Sequence, residues 1–362
     1  MTSCQQQTPR GPQTSTPQIS SGPISMDQTP APSHIENERR IALLLPLSGA
    51  QADLGHTLSN AMELGFLETP HPGIKLLPFD TSSTPEGALE AIQKALGAGA
   101  QMIVGPLTAT ETRAIQGLAP LPILTLSNDR SVATDQVFTF GIMPDDQVQA
   151  LMTHLHQKGI LTIAVFAPKT TYGTLVSGLL QTTAAQMGLS LQVLSYAPED
   201  LQNPEFVGAL AGQGIGAFVL LEAGQNAAAV AALLAYKDLL SPSVTCYGLD
   251  NWRTSPDLAT NPHFEGAAFA SVDASGFETL SARYFAAFGA SPHPIAGVGY
   301  DAIRVALFAL SQGNNPTTTL TTPSGFLGTY GALKLLPTGA NARTAKICTF
   351  KMGQIVPVDG AL

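Results

Sequence analysis

The stretch QMIVGPLTATETRAIQG (101–117) holds the most specific local pattern in the chain. An apolar run ends at Val104, a Gly-Pro turn follows, and Thr108 with Glu111 makes the T-x-x-E spacing of a capping box. Such a box opens a helix, and a helix N-terminus suits an anionic group such as a carboxylate. Thr108 and Thr110 are therefore candidate ligand contacts, although capping alone accounts for the same residues. Other apolar runs end similarly: Ser48 follows LLLP, Ser127 and Asn128 follow ILTL, Tyr172 follows AVFAPKTT, Glu222 follows FVLL, and Asp250 follows CYGL. If these runs are strands of parallel sheets, their polar ends can converge on one cleft. Asp250 and Glu222 could then receive an ammonium group while the Thr108 turn receives a carboxylate, which suits an amino-acid-like zwitterion. Each also reads as a carboxylate in a solvated loop.

Covalent chemistry has no comparable signature. G-x-S-x-G, H-E-x-x-H and P-loop patterns are missing from the sequence. GQGIGAFVLLE imitates a dinucleotide loop, but Gly212, Gly214 and Gly216 precede an apolar run instead of following one, so they read as a turn. His154 and His156 are two apart on an expected helix, face different ways and read as solvated surface. Asp145 and Asp146 stand at a helix start, where carboxylates complement the positive end of the dipole. Cys4, Cys246 and Cys348 make no metal-ligand or C-x-x-C spacing. Cys246 and Cys348 read as buried thiols, with a mutual disulfide left open. The expectation is a protein without enzymatic activity, cofactor or metal.

The elements that must position these residues follow from hydrophobic periodicity. From Arg40 onward, IALLLPL, IKLLPFD, QMIVG, PILTLS and VFTFG read as strands separated by amphipathic helices. In TPEGALEAIQKALGAG, Thr84 caps, Pro85 takes the first helical position, and Ala88, Leu89, Ile92 and Leu96 make an apolar stripe. A second series follows Pro144, with strands LTIAVFAP, LSLQVLS, AFVLLE and VTCYG. Two further helices and a β-rich tail come last. The fold class is α/β, with two parallel-sheet lobes. At 362 residues the chain is long for one core, and 44% hydrophobic against 12% charged residues supports a compact body. A net charge of −9 argues against nucleic acid as a partner. No apolar run is long enough to cross a membrane as a helix.

The order and spacing of these motifs resemble the type I periplasmic binding proteins, in their leucine/isoleucine/valine-binding branch. IALLLPLSGAQADLGHTLSNAMELGF resembles the opening unit, IVGPLTATETRAI the first ligand loop, FGIMPDDQVQAL the first hinge and following helix, and GVGYDAIRVALFAL a late helix. The resemblance covers about residues 40 to 358. It implies two Rossmann-like lobes joined by three hinge crossings, near Met143, near Ala270 to Asp273 and near Leu327 to Gly331. The implied division is lobe 1 at 39–143 plus 273–327 and lobe 2 at 144–272 plus 328–362. It further implies closure on a small amino-acid-like or amide ligand, with Tyr172 as the binding tyrosine, Asp250 as the amine-binding acid, and an ABC importer as partner. Ala109 stands where that branch carries its carboxylate-holding hydroxyl, and Ser127 to Asp129 replace a small-residue turn. LTLSNDRSVATDQVFTFGIMPDDQV, GLDNW and FKMGQIVPV are more similar to the penicillin-binding protein activators, lipoproteins of the same fold. That subgroup implies regulation of peptidoglycan synthesis through contact with a penicillin-binding protein.

Residues 1–38 are rich in Gln, Thr, Pro and Ser and read as a disordered tether. Cys4 heads this segment after Thr2 and Ser3, the small residues expected where a bacterial lipoprotein is processed. The expectation is an upstream signal peptide ending at Ser3, lipid attachment at Cys4, and residence in the periplasm on the outer membrane. Any membrane contact would run through that anchor.

Overall fold

The computed structural model describes residues 24–25, 38–313 and 315–358. Cys4 and most of the expected tether lie outside them. Two α/β lobes result, as the alternating periodicity predicts. In the first, a parallel five-stranded sheet runs in the order Ile74–Asp80, Arg39–Leu45, Met102–Val104, Ile123–Thr125, Val137–Thr139. The central run Arg39–Leu45 is buried on both faces. Ile41, Leu43 and Leu45 join one apolar cluster and Ala42 and Leu44 another, which is why this strand shows no polar alternation.

Helices Ala52–Glu68 and Ile295–Ser311 cover the first face together. A methyl group at Gly299 would meet Leu58 Cδ2 at 2.8 Å, so the two helices pack closely here and a larger residue would require Leu58 to shift. Pro85–Gly97 and Ala109–Ile115 cover the other face. The buried stripe of Pro85–Gly97 is Ala88, Ala91, Ile92 and Ala95, with Leu89 and Leu96 at its margin. The small side chains lie against the sheet and the leucines flank them.

The second lobe is a seven-stranded sheet ordered Gln354–Pro357, Ala345–Lys351, Ala268–Val272, Cys246–Gly248, Ala217–Leu220, Thr162–Pro168, Ser190–Tyr196. Its first two strands are antiparallel additions and the rest pair in parallel. Helices Pro144–Gln157 and Thr171–Met187 cover one face and Gly224–Tyr236 the other. Gly212 and Gly214 have positive φ just ahead of Ala217–Leu220, the turn that their position implied. Cys246 and Cys348 are free thiols, which closes the disulfide alternative for this pair.

Three differences from the sequence reading have physical causes. First, the chain does not return to the second lobe near Leu327 to Gly331. Strands Phe326–Gly328, Gly331–Leu335 and Asn341–Arg343 form a small sheet whose Leu333 and Leu335 enter the first-lobe core, and the return falls at Arg343–Ala345. Second, within the stretch read as tether, Ile24–Ser25 pair in parallel with Phe326–Leu327, because that strand offers an open edge of backbone donors and acceptors. Third, His154 is buried, not solvated. The returning strand lies over its helix, and its ring stands 6.2 Å from that of Tyr247. Its Nε2 has no hydrogen-bond partner among the described residues.

This packing can be tested at two positions. Trp252 is fully buried among Phe264, Phe269 and Phe350, and its indole donates to the Glu222 carbonyl at 2.8 Å. Trp252→Ala is expected to cost about 3–5 kcal/mol in chemical denaturation, and a loss under about 1 kcal/mol would contradict this core. Burial, reinforced by the charge of Lys158, holds the His154 imidazole below its ordinary value. The unfolded chain therefore takes up a proton that the native state refuses, and stability falls as pH drops through about 6.5. His154→Leu should flatten the decline of Tm between about pH 7 and pH 5; an unchanged slope would sink the assignment.

Candidate functional site

Parallel strands in both lobes end toward the space between them, so their C-terminal loops face one another. Gly105 starts the first of these loops. It adopts φ +103°, and a Cβ there would lie 2.0 Å from the Leu44 carbonyl oxygen, so the turn passes directly over the neighbouring strand. Thr108 then caps Ala109–Ile115 through the full box: its hydroxyl accepts from the Glu111 amide at 3.2 Å and donates to the Glu111 carboxylate at 2.6 Å. Glu111 is itself buried and takes the Thr81 hydroxyl at 2.6 Å. The Thr108 hydroxyl is thus committed to its helix, and its loop contributes shape to the site.

A cavity of about 610 Å³ opens between the lobes. Of the eight residues picked out in sequence as ligand contacts, the structure brings five to it: Thr108, Ser127 and Asn128 from the first lobe, Tyr172 and Asp250 from the second. The other three lie elsewhere. Ser48 donates to the Asp80 carboxylate at 2.6 Å, closing a turn of the first lobe. Thr110 is exposed on the first turn of its helix and does not line the cavity. The Glu222 carboxylate takes the Tyr196 hydroxyl at 2.6 Å, and this bond, after burial, pushes the Tyr196 hydroxyl far up. Strand-end position alone could not separate Ser48 and Glu222 from the groups that reach the cleft, because Asp80 and Tyr196 claim them first.

Sequence reasoning missed the cation of the site. Arg253 lies three residues after Asp250, and the short helical turn Asp250–Trp252 brings the two side chains together. Arg253 Nε and Nη2 each lie 3.1 Å from a different oxygen of the Asp250 carboxylate. The Ser271 hydroxyl, from the second crossing, donates to the same carboxylate at 2.5 Å. Both charged side chains are mostly buried, 14% and 16% exposed, so the pair is poorly screened. Burial alone would lower the Arg253 guanidinium; the hydrogen bonds and charge of Asp250 outweigh it and hold it above its ordinary value. The i,i+3 spacing in LDNWR was the available signal.

The guanidinium also lies over the Tyr330 ring, 5.7 Å from its centroid, and the Tyr330 hydroxyl donates to the Pro294 carbonyl at 2.6 Å. Second-lobe charge therefore rests on first-lobe aromatic surface at the back of the cleft. Tyr172 lines the same cavity from the second lobe. Burial, with the Asp250 charge adding to it, raises its hydroxyl to about 12, so it is a donor at neutral pH. Asn251, Gln51, Thr254, His293 and Gln147, whose Oε1 accepts from the Asp250 amide at 3.0 Å, complete the polar lining, and burial holds the His293 imidazole below its ordinary value. Leu54, Leu107, Leu126, Ile142, Ile295 and Val298 supply apolar walls. Among the described residues no group of acids, histidines and cysteines is placed to hold a metal ion.

Known proteins share parts of this sequence and most of this architecture. A 141-residue stretch is 28% identical to the penicillin-binding protein activator LpoA of Pasteurella multocida (strain Pm70), covering 37% of this chain and 24% of that protein. The matches to curated relatives span only 24% to 46% of their lengths. Two solved structures share the fold. One is a putative branched-chain amino acid ABC transporter protein from Rhodospirillum rubrum, with TM-score 0.77, 17% identity, and coverage of 88% of this chain and 99% of that one. The other is the LpoA C-domain from Haemophilus influenzae, described as a regulator of PBP1A, with TM-score 0.68, 22% identity and the same two coverages. A family profile described as periplasmic binding protein matches residues 38–325, most of both lobes, and the chain belongs to that family.

Proposed function

We propose that this periplasmic binding protein closes its lobes over one small polar ligand held in the interlobe cleft, without chemical turnover. The observation that carries this reading is the convergence of the Thr108, Ser127–Asn128, Tyr172 and Asp250–Arg253 loops, drawn from both lobes, on one cavity. A ligand touching both sets of loops gains its full contacts only when the lobes approach, so binding and closure are one event. Asn128 is exposed in the open cleft and Tyr172 presents its protonated hydroxyl, so these two are the proposed first contacts from either side. Delivery of the ligand to an ABC importer is the corresponding partner.

A second reading is favoured by the resemblance to LpoA: contact with a penicillin-binding protein, with the cleft tuning that contact. Attachment to the outer membrane through Cys4 belongs to this reading, since an outer-membrane tether stands away from an inner-membrane importer. Pull-down of a penicillin-binding protein by the full chain separates the two, and no capture above a control would remove the second.

A thermal-shift panel of amino acids, amides and neutral sugars tests the cleft. A true ligand at about 100 times its Kd should add about 2.7 kcal/mol of stability. Tyr172→Phe should then weaken that ligand about 5- to 10-fold while leaving the ligand-free Tm nearly unchanged, because one hydrogen bond is lost. Equal affinity in the variant would remove Tyr172 from the contact set.

A further inference from the structure

We infer that Arg253 occupies the place of a ligand ammonium group on Asp250, so that the cleft accepts an uncharged amide- or hydroxyl-bearing molecule and discriminates against free α-amino acids; this rests on the cleft being the ligand site. The sequence allowed either an amino-acid-like or an amide ligand, and the side chains decide between them. Both oxygens of Asp250 are engaged by the guanidinium, at 3.1 Å each, and one also accepts from Ser271. A ligand ammonium reaching this carboxylate would arrive beside a fixed positive charge and would have to displace it.

The charge balance of the cavity points the same way. Among the described residues that line it, only Asp250 and Arg253 carry a formal charge at neutral pH, and they cancel. His293 and Tyr172 are held neutral by burial. An ionised group on the ligand would therefore leave water without gaining an unengaged counter-charge.

The neutral lining, by contrast, has matching work for amides and hydroxyls. Asn251 donates through Nδ2 to the Leu221 carbonyl at 3.0 Å, while its buried Oδ1 has no partner among the described residues. That acceptor takes an N–H or O–H donor once closure brings one to it; an amide, a hydroxyl or an ammonium supplies one and a carboxylate does not, so it counts against the anionic form alone. Asn128 adds an amide capable of both roles and Tyr172 a hydroxyl donor, while the leucine and isoleucine walls suit the apolar faces of the same molecule.

Isothermal titration calorimetry on the full chain, with a matched set of probes, tests this. Glutamine is the zwitterion, N-acetylglutamine the anion and N-acetylglutaminamide the uncharged form, with neutral and N-acetylated sugars as a second uncharged arm. The uncharged probes should bind at least about tenfold more tightly than glutamine, and Arg253→Met should reverse that order by exposing Asp250 to the ammonium. Glutamine binding wild type as tightly as its capped form overturns the charge rule while leaving the cleft reading intact. The charge rule falls likewise if folded Arg253→Met, checked by circular dichroism, keeps the wild-type order. Absence of binding by every probe overturns the cleft reading and the charge rule with it. Should Arg253→Met fail to fold, Arg253→Gln and the wild-type ranking decide the matter.

Discussion

The arrangement of the cleft depends on how the third crossing is fastened to the first. Asn341 donates from its side chain to the Gly141 carbonyl at 2.7 Å and from its backbone to the Thr139 hydroxyl at 3.2 Å, while the Thr139 amide donates to the Gly339 carbonyl at 2.8 Å. One residue pair further, the Arg343 amide donates to Asp146, whose other oxygen takes Arg130 at 2.8 Å. Residues distant in sequence thus form one double-stranded connection between the lobes. Under the proposed closure, lobe motion would have to respect these bonds, and the connection would bend as a unit.

From that constraint the electrostatics of the cleft follow. Ser271 sits on the second crossing and holds Asp250 from behind, and Asp250 holds Arg253 against Tyr330, which belongs to the first-lobe core. The chain of contacts passes from hinge to carboxylate to guanidinium to opposite lobe. A buried ion pair of this kind gives little net stability, because both partners lose hydration. Its value lies in fixing where each charge points.

Much of the scaffold was legible in the sequence because its signals are local. The Thr84–Pro85 start, the Thr108–Glu111 box and the continuous apolar run at 41–45 each contain their own explanation within a few residues. What failed to show was whatever depends on a partner far along the chain. GALKL alternates as any half-buried strand does, and nothing in it says which lobe receives Leu333 and Leu335. His154 has the spacing of a surface residue until the strand at 345–351 is laid over its helix. Glu222 and Asp250 both end strands with a carboxylate, and only Tyr196 and Arg253 distinguish their fates.

The interleaving of the lobes also orders events on the ribosome and at a translocon. Helix Ala52–Glu68 is made before Ile295–Ser311, and the face it shows to that helix stays uncovered until the whole body of the second lobe has been synthesised. The second sheet, in turn, waits for Ala345–Lys351 to cover its edge. Each half is therefore incomplete while the other is being made, and a nascent chain of this topology carries uncovered apolar surface until both are complete.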